Sequence, residues 1–197
     1  MLVLACGAIA REVLAVVRLN GWTHVDVRCL PAKLHLRPEL IAGAVDARLG
    51  QLGARYERTF VAYADCGTGG ELDRVLEAHG AERLTGLHCY GVFAGSDTLD
   101  ALQNEEPGTF YLTDFLARHF DALVVRPLGL DRHPELLDDV FGNYRRLVYL
   151  AQTDDGALDA RARAAADRLG LAYERRFTGY GRLATELTRF AGGQRAA

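Results

Sequence analysis

The sequence contains no run of about 20 apolar residues, the length that a helix needs to cross a bilayer. It also has no excess of positive charge, since 23 lysines and arginines stand against 26 aspartates and glutamates. The formal net charge of −3 gives no general attraction to nucleic acid or to an anionic membrane surface. We therefore expect neither as a partner.

An export signal is also absent, although the first residues imitate one. Leu4-Ala5-Cys6 is similar to the cleavage site of a bacterial lipoprotein, but only five residues precede Cys6. They include no basic segment and leave no room for an apolar segment of about 7–15 residues. We expect a cytoplasmic protein, in which cysteines stay reduced and more often serve metal binding or catalysis than disulfides.

Short metal-binding and nucleotide-binding motifs are missing as well. The chain has no Cys-x-x-Cys pair, no Gly-x-Gly-x-x-Gly and no P-loop lysine. It does have four cysteines, at Cys6, Cys29, Cys66 and Cys89. Cys29 follows Cys6 by 23 residues, and Cys89 follows Cys66 by the same 23. Because a strand, a helix and a second strand are predicted within each interval, we interpret the spacing as an internal repeat.

Three such strand–helix–strand units are predicted, at about residues 1–30, 59–91 and 147–177, and Gln152 replaces the cysteine in the third. Units of this kind favour parallel pairing and right-handed crossovers. The predicted fold is one α/β domain over residues 1–197, a three-layer Rossmann-like parallel sheet with pseudo-symmetry. The second unit is expected to return as a strand over Arg83–Leu87, after a helix that a Thr68–Glu71 capping box begins. A tail helix over Leu183–Phe190 is expected to precede a frayed end from Gly192.

The thiols are then expected at one edge of the sheet, since ligands of such folds bind beyond the carboxyl ends of the strands. Cys6 and Cys66 each precede a glycine at a strand-to-helix junction, where a helix N-terminus favours the thiolate. Three thiolates, from Cys6, Cys66 and Cys89, suit a [4Fe–4S] cluster with one open iron, or zinc with an open fourth position. The alternative is that free cysteines simply pack in the core, which we favour for Cys29.

Other side chains and backbone groups are expected at the same edge. Asp65 and His88 are candidates for proton transfer, with a surface-loop carboxylate as the alternative for Asp65. A glycine-containing turn at a helix start can cradle an anion, or can serve only as a tight turn. The candidates for substrate binding are Gly67, Thr68, Gly69, Tyr90 and His35.

Several segments carry a resemblance to a known family: Asp65-Cys-Gly-Thr-Gly-Gly70, His88-Cys-Tyr90, Pro107-Gly-Thr-Phe110 with Thr113-Asp114, and Gly129-Leu-Asp131. With these, nearly the whole chain resembles the domain-of-unknown-function family 1638. The resemblance implies that Cys6, Cys66 and Cys89, but not Cys29, belong to the family pattern. It also implies an association with corrinoid-dependent methyltransferases, near which members tend to be encoded. In having three cysteines and three units, the chain is also similar at fold level to quinolinate synthase, whose pseudo-symmetric domains each give one cysteine to an iron–sulfur cluster.

Three functions stay open at this point. The first is an enzyme whose metal–thiolate centre acts on a small-molecule substrate in sulfur or one-carbon metabolism. The second is a zinc–thiolate protein that acts in corrinoid-dependent methyl transfer or assists it, with a corrinoid protein or methyltransferase as partner. The third is a metal-free cysteine enzyme with Cys66 as nucleophile and His88 as base.

Overall fold

The computed structural model describes residues 1–192, and these divide into two compact units. The first comprises Met1–Val92 with the described residues from Tyr180 onward, and the second is Phe93–Gly179. The α/β class with purely parallel strands is confirmed, but the strands form two sheets where the sequence predicted one. The single domain and the three-fold repeat stay predictions. The frayed end that was predicted from Gly192 falls, from residue 193, outside the described residues.

The first unit is built around a four-stranded parallel sheet in the order β2-β1-β3-β4. Short 3₁₀ turns at Ala32–Leu36, Pro38–Leu40 and Gly53–Arg55 connect its regular elements. These elements are β1 (Leu2–Cys6), α1 (Ala10–Leu19), β2 (Asp26–Leu30), α2 (Ile41–Leu52), β3 (Thr59–Ala62), α3 (Glu71–His79), β4 (Glu82–Arg83), α4 (Cys89–Ala94) and, returning at the end of the described chain, α9 (Gly181–Gly192).

The two central strands of this sheet form the core of the unit. Every residue of β1 and of β3 is buried, so both faces of the sheet are covered by other elements. The chain leaves β1 toward β2 on one side and then returns to β3 on the other. Right-handed crossovers therefore put α1 and α3 on opposite faces, in agreement with the contacts of α1 with α9 and of α2 with α3.

The second strand–helix–strand segment differs from its prediction at both ends of the helix. β4 has only two residues, because the chain leaves the sheet after Arg83 and reaches α4 through an irregular loop. The capping box is also wrong: α3 begins after Gly70, at a φ of 85°, with no side-chain cap. The equal cysteine spacing has no structural equivalent, since Cys29 lies within β2 while Cys89 is the first residue of α4.

The second unit has a three-stranded parallel sheet in the order β5-β6-β7. Alternating side chains of β6 pack with the buried face of the longest helix, α8, in one hydrophobic cluster. No helix of the described chain combines the length and the apolar character that a bilayer span requires. The elements are α5 (Ser96–Glu105), β5 (Thr109–Thr113), α6 (Asp114–Arg118), a π-helical segment (Asp121–Val125), α7 (Leu137–Phe141), β6 (Arg146–Ala151), α8 (Gly156–Leu169) and β7 (Ala172–Phe177).

A buried carboxylate joins the carboxyl ends of β5 and β6. Asp114 is fully buried and accepts hydrogen bonds from the Tyr149 hydroxyl (2.7 Å), the Gln152 backbone N–H (2.9 Å) and the Thr153 hydroxyl. The Gln152 side-chain oxygen in turn accepts from the Asp114 backbone N–H, at 2.8 Å. Because buried polar groups stabilise only when each finds a partner, this closed network explains why a glutamine occupies the end of β6.

Replacing Asp114 by Ala is expected to destabilise the second unit by about 3–5 kcal/mol, because several buried donors and the nearby Arg118 would lose their acceptor. Urea unfolding followed by circular dichroism measures the loss, and hydrogen exchange of β6 and α8 peptides locates it. Asp100→Ala, on the exposed side of α5, is the matched control and should change stability by less than about 0.5 kcal/mol. Equal stability of the two variants would contradict the assignment.

Candidate functional site

The three predicted ligand cysteines all follow strands of the first sheet at its carboxyl edge. Cys6 is the last residue of β1, Cys66 lies four residues beyond the end of β3, and Cys89 starts α4 after the short β4. The crossovers diverge between β1 and β3, so this edge is a topological switch point. In open parallel sheets that is where a crevice for ligands forms.

The thiols lie close enough to influence one another's ionisation. Burial raises the pKa of Cys66 to about 12, and the charge of Cys6 contributes to the increase. Burial also raises the pKa of Cys89, with further contributions from Cys66 and Cys6. The three thiols are therefore electrostatically linked, and their role as metal ligands stays a prediction.

Their ionisation, however, differs from the prediction. Burial raises the pKa of Cys6 to about 11, although the backbone N–H of Ala8 and the Tyr63 hydroxyl offset part of the increase. The expectation that helix N-termini ionise these thiols is wrong for the protein without a bound cation. The free-energy cost of removing a thiolate from water exceeds the stabilisation that a few nearby N–H dipoles provide. The resting thiols are neutral at physiological pH.

Cys66 has an unusual backbone conformation. Its φ is 53°, and no other non-glycine residue among residues 1–192 has a positive φ. A left-handed conformation costs a side-chain-bearing residue about 1–2 kcal/mol. Hydrogen bonds from Cys66 N to the Leu87 carbonyl (2.7 Å) and from Asp65 N to the Gly86 carbonyl (3.0 Å) hold this conformation. They also tie the loop that carries Cys66 to the segment that carries Cys89.

The Cys6 sulfur is enclosed by polar groups. It lies 3.4 Å from His35 Nδ1, and it accepts the Ala8 backbone N–H at 3.3 Å. The His35 ring stacks on Tyr63, with 6.2 Å between ring centroids. Gly7 permits the close approach, since a Cβ there would lie 2.8 Å from both Ala32 N and the Leu30 carbonyl oxygen. His35 therefore lies beside Cys6. Its predicted role in substrate binding stays a prediction.

Asp65 organises the loop around Cys66. Its carboxylate accepts the Thr68 hydroxyl (2.8 Å) and the backbone N–H groups of Gly67 (3.2 Å) and Gly70 (3.3 Å). Burial would raise its pKa, but these hydrogen bonds hold the pKa below its ordinary value. The carboxylate therefore stays ionised and occupied as an acceptor. Its predicted role in proton transfer stays a prediction.

The remaining predicted residues surround this loop. Thr68 is buried, and its hydroxyl donates to Asp65. Gly67 and Gly69 are exposed and have φ angles of 82° and 61°. His88 is exposed and its ring lies 5.5 Å from that of Tyr90, which is half-buried. β4 ends at Arg83, so His88 lies in the loop that leads to α4. The substrate-binding roles stay predictions.

A family model described as "Protein of unknown function (DUF1638)" matches residues 29–187. The chain belongs to this family. The match confirms the resemblance seen in the sequence, and it includes Cys66, Cys89 and the His35 segment while Cys6 precedes it. Comparisons with curated proteins and with solved structures find no match.

Within residues 1–192 of this DUF1638 protein, no group of three or more His, Cys, Asp and Glu side chains has an arrangement that could hold a metal ion. The Cys6 sulfur, for example, already contacts His35 Nδ1 and the Ala8 backbone N–H. To bind a metal, the side chains around the cysteines would therefore have to move.

Sequence reasoning missed Tyr63 as a site residue. Its side chain is 1 % exposed, and its hydroxyl has no partner in the described chain other than the Cys6 thiol, whose pKa it lowers. Burial and the charges of Cys6 and Cys66 raise its pKa, so the hydroxyl keeps its proton as a donor. The available signal was a tyrosine directly after the mainly apolar run Phe60–Ala62, since a buried tyrosine hydroxyl usually has a partner.

In the metal-free protein, iodoacetamide should label Cys29 at least about tenfold faster than Cys6, because Cys29 is exposed and the Cys6 sulfur is enclosed. Peptide mass spectrometry over time measures both rates. Labelling of Cys6 should accelerate as the pH rises toward its pKa of about 11, since more thiolate then forms. In urea the two rates should converge. Equal rates in the folded protein would refute the enclosure of Cys6.

Proposed function

We propose that this protein is a metal-dependent enzyme whose centre is held by Cys6, Cys66 and Cys89 at the carboxyl edge of the first sheet. The observation that carries the proposal is that thiols from three separate segments, all at a topological switch point, are close enough to influence ionisation: the charge of Cys6 acts on Cys66, and both act on Cys89. Each thiol follows a different strand, so the cluster arises from the fold and not from a local sequence motif.

The electrostatics of the site support a bound cation. The charge of Cys6 contributes to the raised pKa of Cys66, and the charges of Cys66 and Cys6 contribute to that of Cys89, while the nearby Arg83 is engaged by Asp73, at 2.6 Å. A soft metal would supply the positive charge that this neighbourhood lacks, and it would hold the sulfurs as thiolates. The strained Cys66 supports the same view, because backbone strain is retained mainly where function requires it.

A [4Fe–4S] cluster is the form that we favour. Three cysteines from separate segments can each bind a different iron, which leaves the fourth iron open to a small-molecule substrate. The chemistry that such a cluster supplies when bound is Lewis-acid activation at that open position. Tyr63 and His35, beside Cys6, are placed to donate hydrogen bonds to its thiolate and so to tune the centre.

Zinc is the second candidate, and His35 is the observation that favours it. With Nδ1 only 3.4 Å from the Cys6 sulfur, His35 would complete a Cys₃His set, a common ligand set of zinc. In that form the protein would act in, or assist, corrinoid-dependent methyl transfer, as the family association suggests. The metal-free nucleophile, Cys66 with His88 as base, has less support, because burial raises the pKa of Cys66 to about 12, whereas a nucleophilic cysteine needs a stabilised thiolate.

Anaerobic purification with reconstitution, followed by iron, sulfide and zinc analysis, tests the proposal. We expect about four irons and four sulfides per chain. Cys66→Ser should lose this metal, while Cys29→Ser, which removes an exposed thiol from the edge strand, should keep it. A result of one zinc per chain would favour the zinc centre over the iron–sulfur cluster. Full metal in Cys66→Ser, or neither metal in the native protein, would refute a centre on these cysteines.

A further inference from the structure

The second unit has a cavity of about 390 Å³ lined mainly by arginines and small apolar residues. Its only carboxylate among the described residues is Asp121, which pairs with Arg168 at 2.6 Å. The other charged lining residues are Arg118, Arg126 and Arg161. The chain as a whole carries a net charge of −3, so an overall excess of basic residues does not explain this local positive charge.

The cavity arises from how its helices are built. Arg161 and Arg168 are seven residues apart on α8, which is two helical turns, so they lie on the same face. Ala164 and Ala165 lie between them and line the same cavity. Short alanine side chains leave space where larger ones would fill it. The opposite wall comes from α6 and the π-helical segment.

The π-helical segment positions one further arginine. The backbone N–H of Arg126 donates to the Asp121 carbonyl five residues earlier, at 2.9 Å. Such wide turns are rare and are frequent at functional sites. Arg126 and Arg161 are both exposed, and neither forms an ion pair with any of residues 1–192. Their guanidinium groups are free to bind an anion.

Arg118 lacks full compensation inside the same wall. Its side chain is 17 % exposed, and its nearest carboxylate, Asp114, is 3.7 Å away. That carboxylate already accepts from Tyr149, Gln152 and Thr153. Arg118 Nη1 is buried without a hydrogen-bond partner in the described chain. A buried donor of this kind is uncommon in native proteins, and it adds positive potential to the cavity.

We propose that this cavity binds a phosphorylated small molecule. Guanidinium groups match phosphate oxygens through paired hydrogen bonds, and several of them together suit an anion with more than one charge. The volume is in the range of small-molecule sites, and the alanine and Phe120 surfaces leave room for a nonpolar part of the ligand. The site lies wholly within residues 117–168, so it is independent of the cysteine centre.

Isothermal titration of the full-length protein with pyrophosphate at low salt tests this site. We expect one pyrophosphate per chain, with binding that weakens as salt is added. Acetate, which has a single charge, should bind far more weakly. The double variant Arg126→Gln/Arg161→Gln should reduce affinity by about a hundredfold, or about tenfold for each lost arginine. Circular dichroism verifies that the variant is folded.

Arg163→Gln is the matched control. Arg163 is on the same helix but outside the cavity, where it lies over the Tyr173 ring at 4.4 Å and pairs with Asp159. Its loss should change affinity by less than about twofold. The proposal is overturned if pyrophosphate fails to bind below about 10 mM, if acetate binds equally well, or if the double variant and the control behave alike.

Discussion

The parallel pairing of β1 with β3 determines where the thiols of this protein lie. The register runs from Leu2 opposite Thr59 to Ala5 opposite Ala62, and all of these residues are buried. A shift of one residue would move every side chain into a space on the opposite covered face that is packed for a different side chain, and close-packed cores do not absorb such changes in volume. Cys6 therefore ends β1 at the carboxyl edge, and the chain beyond Ala62 must turn away over the same edge. Core packing in this way brings the Cys6 and Cys66 segments together.

Stability alone does not explain the features of this edge. Cys66 is held in a left-handed conformation, the buried Tyr63 hydroxyl has only the Cys6 thiol as a partner in the described chain, and the charges of Cys66 and Cys6 oppose the ionisation of Cys89. An apolar core could avoid each of these costs. Natural sequences tend to break local rules where a site needs it, and here the exceptions converge on one place.

The sequence predicted the parts of this structure that depend on local patterns. β1, β3 and β6 are short, mainly apolar runs, and α8 has a clear cap in Asp155 and a clear end in Gly170. It could not predict the second sheet, because pairing of β5 with β6 is a choice among distant partners that no local pattern encodes. The equal cysteine intervals led to a wrong prediction for the strand before Cys89. The interval between two cysteines does not show where a strand ends, and β4 ends six residues before Cys89. The arginines around the cavity were not recognised, since they come from three elements and form no motif.

The residues that follow the strands differ in chemistry between the two sheets. After β6, Asp114 and Gln152 exchange hydrogen bonds and Asp114 also accepts from Tyr149, so that edge is a structural hydrogen-bond network. After β1 and β3, sulfur atoms replace oxygen acceptors, and thiols are poor hydrogen-bonding groups that cannot close such a network. The soft metal that we propose would bind at this first edge, where the ligands are soft thiols. In the second unit, the proposed anionic ligand would bind instead against α8, beside guanidinium groups that form no ion pair within residues 1–192.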